Sequence, residues 1–130
     1  MPSVLVVDDD PELLRQIGCA FLACGWQVRT AQDGAAALKA LDAAPADLVV
    51  TDIIMPVREG VETIVAVKAR DPAPRVIAIS GGYRVGPADF LNLARHVGAD
   101  EVLAKPFRHA ALIAAAERLI ARDKDLVAPA

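Results

Sequence analysis

A chain of 130 residues supplies one ordinary domain, long enough to bury a core. Hydrophobic residues make up 55% of it and aromatic ones 4%, a balance that excludes a disordered segment and suits a compact α/β protein. With 14 Lys and Arg against 17 Asp and Glu, net −3, and no basic block, nothing in the chain marks a partner such as nucleic acid or an anionic membrane. No apolar run approaches the ~18 residues that a spanning helix needs. Asp8, Asp9 and Asp10 interrupt the first apolar stretch too early for a signal peptide, so a cytoplasmic location is expected.

The first β-branched run, residues 4–7, is wholly apolar, as in a strand covered on both faces. Asp10 follows as a helix N-cap with Pro11 at the first helical position, and Leu14, Ile17, Phe21 and Cys24 repeat at helical spacing up to Gly25. Cys19 and Cys24, five apart on that helix, have Cα atoms roughly 8–9 Å apart, too far to bridge, and are expected to be buried small hydrophobes. Trp26 packs at the start of the next run, 27–30, where Val28 alone is apolar, so that strand is expected at an edge. Asp33 and Gly34 open an Ala-rich helix through Leu38 and Leu41 that stops near Pro45. The run 48–51 is a third strand, and Val61, Ile64, Val65 and Lys68 mark a third helix. A fourth strand is expected at 76–79. Pro87 starts a helix carrying Phe90, Ala94 and Val97 and ending at Gly98. A fifth strand, 102–104, leads to a helix striped by Leu112, Ile113, Ala116, Leu119 and Ile120. One domain is expected over 1–122, with 123–130 as a short flexible tail lacking periodicity.

Five βα units in a row predict an α/β fold: a doubly wound, five-stranded parallel sheet with helices on both faces. In such sheets the functional site lies beyond the carboxyl ends of the strands. Those ends carry Asp8, Asp9 and Asp10 after the first strand, Asp52 after the third, Ser80 after the fourth and Lys105 with Pro106 after the fifth. One Asp at a strand end is usually a cap or turn residue, and Asp10 fits that role. The joint placement of carboxylates, a hydroxyl and an ammonium on one rim is what points to chemistry. Asp52 beside Asp8 and Asp9 is a like-charge cluster that would raise a pKa unless compensated. A Mg²⁺ ion bridging the carboxylates and the ammonium of Lys105 are the available compensators, the latter worth about 4 kcal/mol at ~4 Å in an effective dielectric near 20, before desolvation. Such a site keeps Asp52 ionised and nucleophilic and neutralises an incoming phosphoryl group, the chemistry of an aspartyl phosphate.

Four segments, VLVVDDDPEL, DLVVTDIIMPVREGVE, VIAISG and VLAKPF, occur in order at suitable separations. Together they resemble the receiver domains of bacterial two-component response regulators, over about residues 3–122. The resemblance implies a flavodoxin-like sheet of order 2-1-3-4-5. It implies Asp52 as phosphoacceptor, Asp9 as a direct Mg²⁺ ligand, Asp8 acting mainly through metal-bound water, and the Ile54 main-chain carbonyl as a further ligand. Ser80 would donate its hydroxyl to the phosphoryl group, Lys105 would pair with it, and the Lys105–Pro106 peptide would be cis. The implied role is a phosphorylation-dependent switch rather than an enzyme, loaded by a histidine kinase or phosphotransfer protein. Ser80 and Gly81 would draw the following loop inward. The surface formed by the helix from Pro87, the fifth strand and the last helix would then meet a downstream protein.

Three features depart from the family pattern. Val102 stands where an aromatic switch residue is usual, so coupled rotation of Ser80 and an aromatic is not available. The stretch from Ser80 to Gly98 is longer than typical and holds Gly81, Gly82 and Gly86. Arg58, Glu59 and Gly60 replace a more usual Met-Asp-Gly. No output module follows the last helix, so output by protein contact or phosphoryl relay is expected. Two other classes compete. A receiver-fold scaffold never phosphorylated in use would share the fold but take no phosphoryl group. A haloacid-dehalogenase-type phosphohydrolase would use Asp8 and Asp10 and turn over phosphate esters, leaving Asp52 unexplained.

Overall fold

The structure, a computed structural model, describes residues 1–53, 57–80, 96 and 98–127, with side chains for all of these except 57–59, 80 and 122–127. Expectations for Ile54, Met55, Pro56, Gly81, the helix from Pro87, the Ser80 hydroxyl and the last residues of the tail lie outside the described residues.

The elements follow in the order β1 (Ser3–Val7), α1 (Pro11–Ala23), β2 (Gln27–Ala31), α2 (Gly34–Ala43), β3 (Leu48–Asp52), α3 (Val57–Lys68), β4 (Arg75–Ser80), β5 (Glu101–Ala104) and α4 (His109–Val127). All strand pairs are parallel, in the order β2-β1-β3-β4-β5. The fold class and strand order are those expected. β2 is indeed an edge strand, and its exposed Gln27 and Thr30 account for the thin apolar signal there.

Side chains alternate across each strand, so the sheet divides two cores. On one face Val4, Val6, Val50, Ile77 and Ile79 meet Leu14, Ile17 and Phe21 of α1 and Leu112, Ala116 and Leu119 of α4. On the other face Leu5, Val7, Val49, Val76, Ala78 and Val102 meet Ala37 and Leu41 of α2 and Ile64 and Val67 of α3. Trp26 is buried against Phe21, ring centroids 5.0 Å apart and edge to face.

Local chemistry sets the helix ends. Asp10 caps α1 by accepting from the Glu12 N–H at 3.0 Å, and Asp33 caps α2 by accepting from the Ala36 N–H at 2.7 Å. α2 has no basic residue in its last turn. Arg29 of β2 supplies the missing donors, reaching the carbonyls of Ala40 at 2.7 Å, Ala44 at 2.8 Å and Pro45 at 3.2 Å. At the edge of the sheet away from the strand exits, Asp100 accepts from the Val76 N–H at 2.8 Å, Lys68 Nζ at 2.9 Å and Arg75 Nη1 at 3.1 Å. This cluster ties the end of α3 to the starts of β4 and β5.

Three details correct the sequence reading. Cys19 and Cys24 are exposed, not buried. The buried stripe of α1 runs through Leu14, Ile17, Gly18 and Phe21, which leaves Cys19 on the outer face and makes Cys24 the C-cap. Val65 is also exposed, and Val67 takes its place in the core. The last helix continues to Val127, because the polar stretch after Ala121 contains no Gly or Pro to stop it before Pro129.

Candidate functional site

Parallel pairing places the exits of β1, β3, β4 and β5 on one rim: Val7 pairs with Thr51, Asp52 with Ile79, and Ser80 with Ala104. The chain leaving β1 turns at once. Asp8 donates its N–H to the Ala31 carbonyl at 3.1 Å, while its Oδ1 accepts from the Asp10 N–H at 2.8 Å. That turn directs the Asp8 side chain inward, and the residue is buried. Asp52 ends the central strand, buried at all five positions, and the ladder continues one step beyond it through Ile53 N–H to the Ile79 carbonyl at 2.9 Å.

Lys105, one residue past β5, brings the opposite charge. Its Nζ lies 2.8 Å from Asp52 Oδ2 and 3.9 Å from Asp8 Oδ2. The peptide joining it to Pro106 is cis. Burial alone would discourage the ammonium. Asp52, then Asp8 and Asp10, outweigh burial and hold the Lys105 pKa above its ordinary value. For Asp8, burial dominates and pushes the carboxyl up to about 7; the Asp10 N–H pulls it down, and the neighbouring Asp52 carboxylate pushes it further up. Two carboxylates thus share one ammonium, which cannot serve both fully.

The first turn of α3 completes the site from below. Gly60 lies against the main chain of Asp52 and Ile53, where a Cβ would come within 2.8 Å of Ile53 Cα. Of the residues singled out in the sequence, the structure brings Asp8, Asp52 and Lys105 together. Asp9 is exposed, Ser80 ends β4 paired with Ala104, and Val102 is buried in the sheet facing the α2 and α3 side. Sequence reading noticed Gly60 only as part of a motif. A glycine in the first turn of a helix that follows a site-bearing strand was the available signal.

The model of the response regulator receiver domain family matches residues 4–117 of the chain. The chain belongs to that family. Among curated proteins the receiver is 38% identical over 121 residues to the transcriptional regulatory protein PrrA of Mycobacterium tuberculosis, an alignment covering 93% of this chain and 51% of PrrA. It spans about half the length of the first curated relatives it matches. Among solved structures it superposes on a receiver domain protein from Clostridium thermocellum with TM-score 0.86 and 30% identity, covering 98% of this chain and all of that one. The receiver domain of the Francisella response regulator 1452 gives TM-score 0.85 at 28% identity, covering 95% of this chain and 100% of that chain.

The residues of this receiver suit a hard divalent cation. Asp8 Oδ2 is buried without a hydrogen-bond partner and faces the same space as Asp52. An all-oxygen donor set with few carboxylates matches Mg²⁺, which takes one or two carboxylates and retains water. Among the described residues no three Asp, Glu, His or Cys side chains form a ready-made metal cluster. A third carboxylate contribution from Asp9 therefore requires its exposed side chain to turn inward. Also among the described residues, no helix is long and apolar enough to cross a membrane.

Proposed function

We propose that this receiver is a phosphorylation-dependent switch that accepts a phosphoryl group on Asp52. The observation that supports this most directly is the buried Asp52 carboxylate ion-paired with Lys105 at 2.8 Å, beside an Asp8 whose Oδ2 has no hydrogen-bond partner. The donor is a phosphohistidine on a histidine kinase or phosphotransfer protein. An Asp52 oxygen attacks phosphorus, an O–P bond forms as the N–P bond breaks, and the departing imidazole keeps the electron pair and picks up a proton from water. Asp52 and Asp9, the Ile54 carbonyl and Asp8 through water are the groups proposed to hold Mg²⁺. When bound, the cation neutralises charge on the phosphoryl oxygens and favours the ionised form of Asp8. Lys105, paired with Asp52 at 2.8 Å, orients it before transfer and pairs with the phosphoryl oxygens after it. Ser80 then donates its hydroxyl to the phosphoryl group, and output passes to a partner protein through a surface that includes β5 and α4, with the helix expected from Pro87.

The matched curated relatives are named transcriptional regulatory proteins, but the segment of them that aligns here is a receiver. DNA contact is therefore not part of the function proposed for these residues. A haloacid-dehalogenase reading loses support because the Asp10 carboxylate caps α1. The test is intact-mass measurement after incubation with Mg²⁺ and a small phosphodonor, beside an Asp52→Asn variant. A single phosphoryl adduct that needs both Mg²⁺ and Asp52 is expected. No adduct from the small donor or from an authentic kinase, with Mg²⁺ binding confirmed, would favour the unphosphorylated scaffold instead.

A further inference from the structure

Gly18 and Gly60 both occupy helical positions, and their surroundings differ. A Cβ on Gly18 of α1 would meet Val28 Cγ1 at 3.4 Å, ordinary contact with a side chain. A Cβ on Gly60 of α3 would stand 2.8 Å from Ile53 Cα, 3.1 Å from the Ile53 carbonyl oxygen and 3.2 Å from that of Asp52. All three are main-chain atoms, and carbon atoms at rest sit about 3.5–4.0 Å apart. Helix propensity does not favour glycine at either place. Gly60 is also not among the described glycines with positive φ, which are Gly25 and Gly98. What position 60 requires is therefore close approach, not an unusual backbone conformation.

The approach cannot be relieved by sliding the strand. β3 is paired on both sides, to β1 and β4, and Ile53 N–H still bonds the Ile79 carbonyl at 2.9 Å. A side chain at 60 must lift the first turn of α3 or shift the chain leaving β3. Each of these disturbs the segment that places the Asp52 carboxylate against Lys105 and leads directly into Ile54.

We infer that Gly60 is a positioning residue for the phosphoacceptor: by letting α3 seat on the Asp52–Ile53 main chain, it fixes the carboxylate relative to Lys105 and the chain that continues to the proposed metal-binding carbonyl. This rests on the reading of Asp52 as acceptor. It adds α3 to the elements that set reactivity, a helix the exchange chemistry does not otherwise touch.

Gly60→Ala and Gly18→Ala form a matched pair, since both place the same methyl group in a helix. In metal-free protein, Gly60→Ala is expected to move the amide resonances of Asp52, Ile53 and Lys105, while Gly18→Ala leaves them in place. Misplacement on the order of 1 Å costs up to about a hundredfold in rate, so phosphorylation by the small donor should slow roughly tenfold to a hundredfold in Gly60→Ala alone. Its Mg²⁺ affinity, followed by amide shifts, should weaken severalfold. If Gly60→Ala does not fold, the wild-type protein answers instead. Adding Mg²⁺ and beryllofluoride should shift the Gly60 and Val61 amides with the same saturation curve as Ile53, and silent Gly60 and Val61 amides would overturn the inference. So would a folded Gly60→Ala variant with wild-type shifts at residues 52 and 53 and a wild-type rate. A wild-type protein that takes no phosphoryl group would sink the acceptor reading, while the metal-free amide comparison would still show whether Gly60 positions Asp52.

Discussion

The raised pKa of Asp8 makes metal-free stability fall with pH in a window where most domains are indifferent. In the folded protein, burial and then Asp52 displace the Asp8 carboxyl from 3.8 to about 7. Between those values the unfolded chain has released the proton while the folded chain still holds it. Folded stability therefore falls as pH rises through the window and levels off above it. At 1.36 kcal/mol per pH unit the full displacement is worth at most about 4 kcal/mol. Over pH 5 to 7.5 roughly 2–3 kcal/mol of that should be seen. For a domain of this size, at about 4 °C per kcal/mol, that is a drop in Tm of roughly 8–12 °C. The assay is thermal unfolding followed by circular dichroism in a metal chelator, repeated with Asp8→Asn, which should flatten the slope. Saturating Mg²⁺ favours the ionised carboxylate, so it should raise Tm more at pH 7.5 than at pH 5. A metal-free Tm that is flat or rising over this range, or a slope that survives in Asp8→Asn, would refute the reasoning.

Asp100→Ala removes the acceptor for Val76, Lys68 and Arg75 and should cost about 3 kcal/mol in urea unfolding, given ~1.5–3 kcal/mol for a hydrogen bond to a charged group. Burial works against the charge of Asp100, but Lys68, the Val76 N–H and Arg75 outweigh it and hold the carboxyl below 3.8. Its stabilisation is therefore complete above about pH 4 and lost as pH falls further. The acid limb of a Tm-against-pH curve should be shallower in Asp100→Asn. Arg29→Met strips three carbonyl contacts from the end of α2 and its following loop and should cost about 1–2 kcal/mol, with faster amide exchange there and not in α3. Both cysteines should react with a maleimide in the native state, and mild oxidation should give no intramolecular disulfide; labelling that waits for unfolding would contradict their exposure.

Much of the site was legible because a parallel sheet does the assembling. Once 4–7, 48–51 and 102–104 are recognised as parallel strands, Asp8, Asp52 and Lys105 must emerge on one rim, and their types suggest the chemistry. The edge position of β2 was legible too, since a strand with only Val28 apolar cannot be covered on both faces. Contacts with no local signature stayed hidden. Lys68 and Asp100 lie 32 residues apart, and nothing in either neighbourhood announces the pair. The exposure of Cys19 depends on which side of α1 meets the sheet, and its own residue type suggests the opposite side. The extra length of α4 was missed because a helix can outlast its apolar stripe when no Gly or Pro intervenes. The need for glycine at 60 comes from how closely a helix seats on a strand, a distance that no spacing rule supplies.

The attachment of Asp52 to the central, fully enclosed strand has a consequence for how this molecule tolerates change. Amides of β3 should be the last to exchange in deuterium, opening only with the whole domain, while β2 and β5 open by cheaper local excursions. The carboxylate proposed as acceptor is thus mounted on the part of the protein least able to wander. The margins bearing the outer face of α1, the open side of β2 and the far face of α4 can be rewritten without loosening it. With Asp52 as acceptor, a library randomised at those margins should leave the rate of phosphorylation by a small donor almost untouched, a tolerance built into the order of the strands.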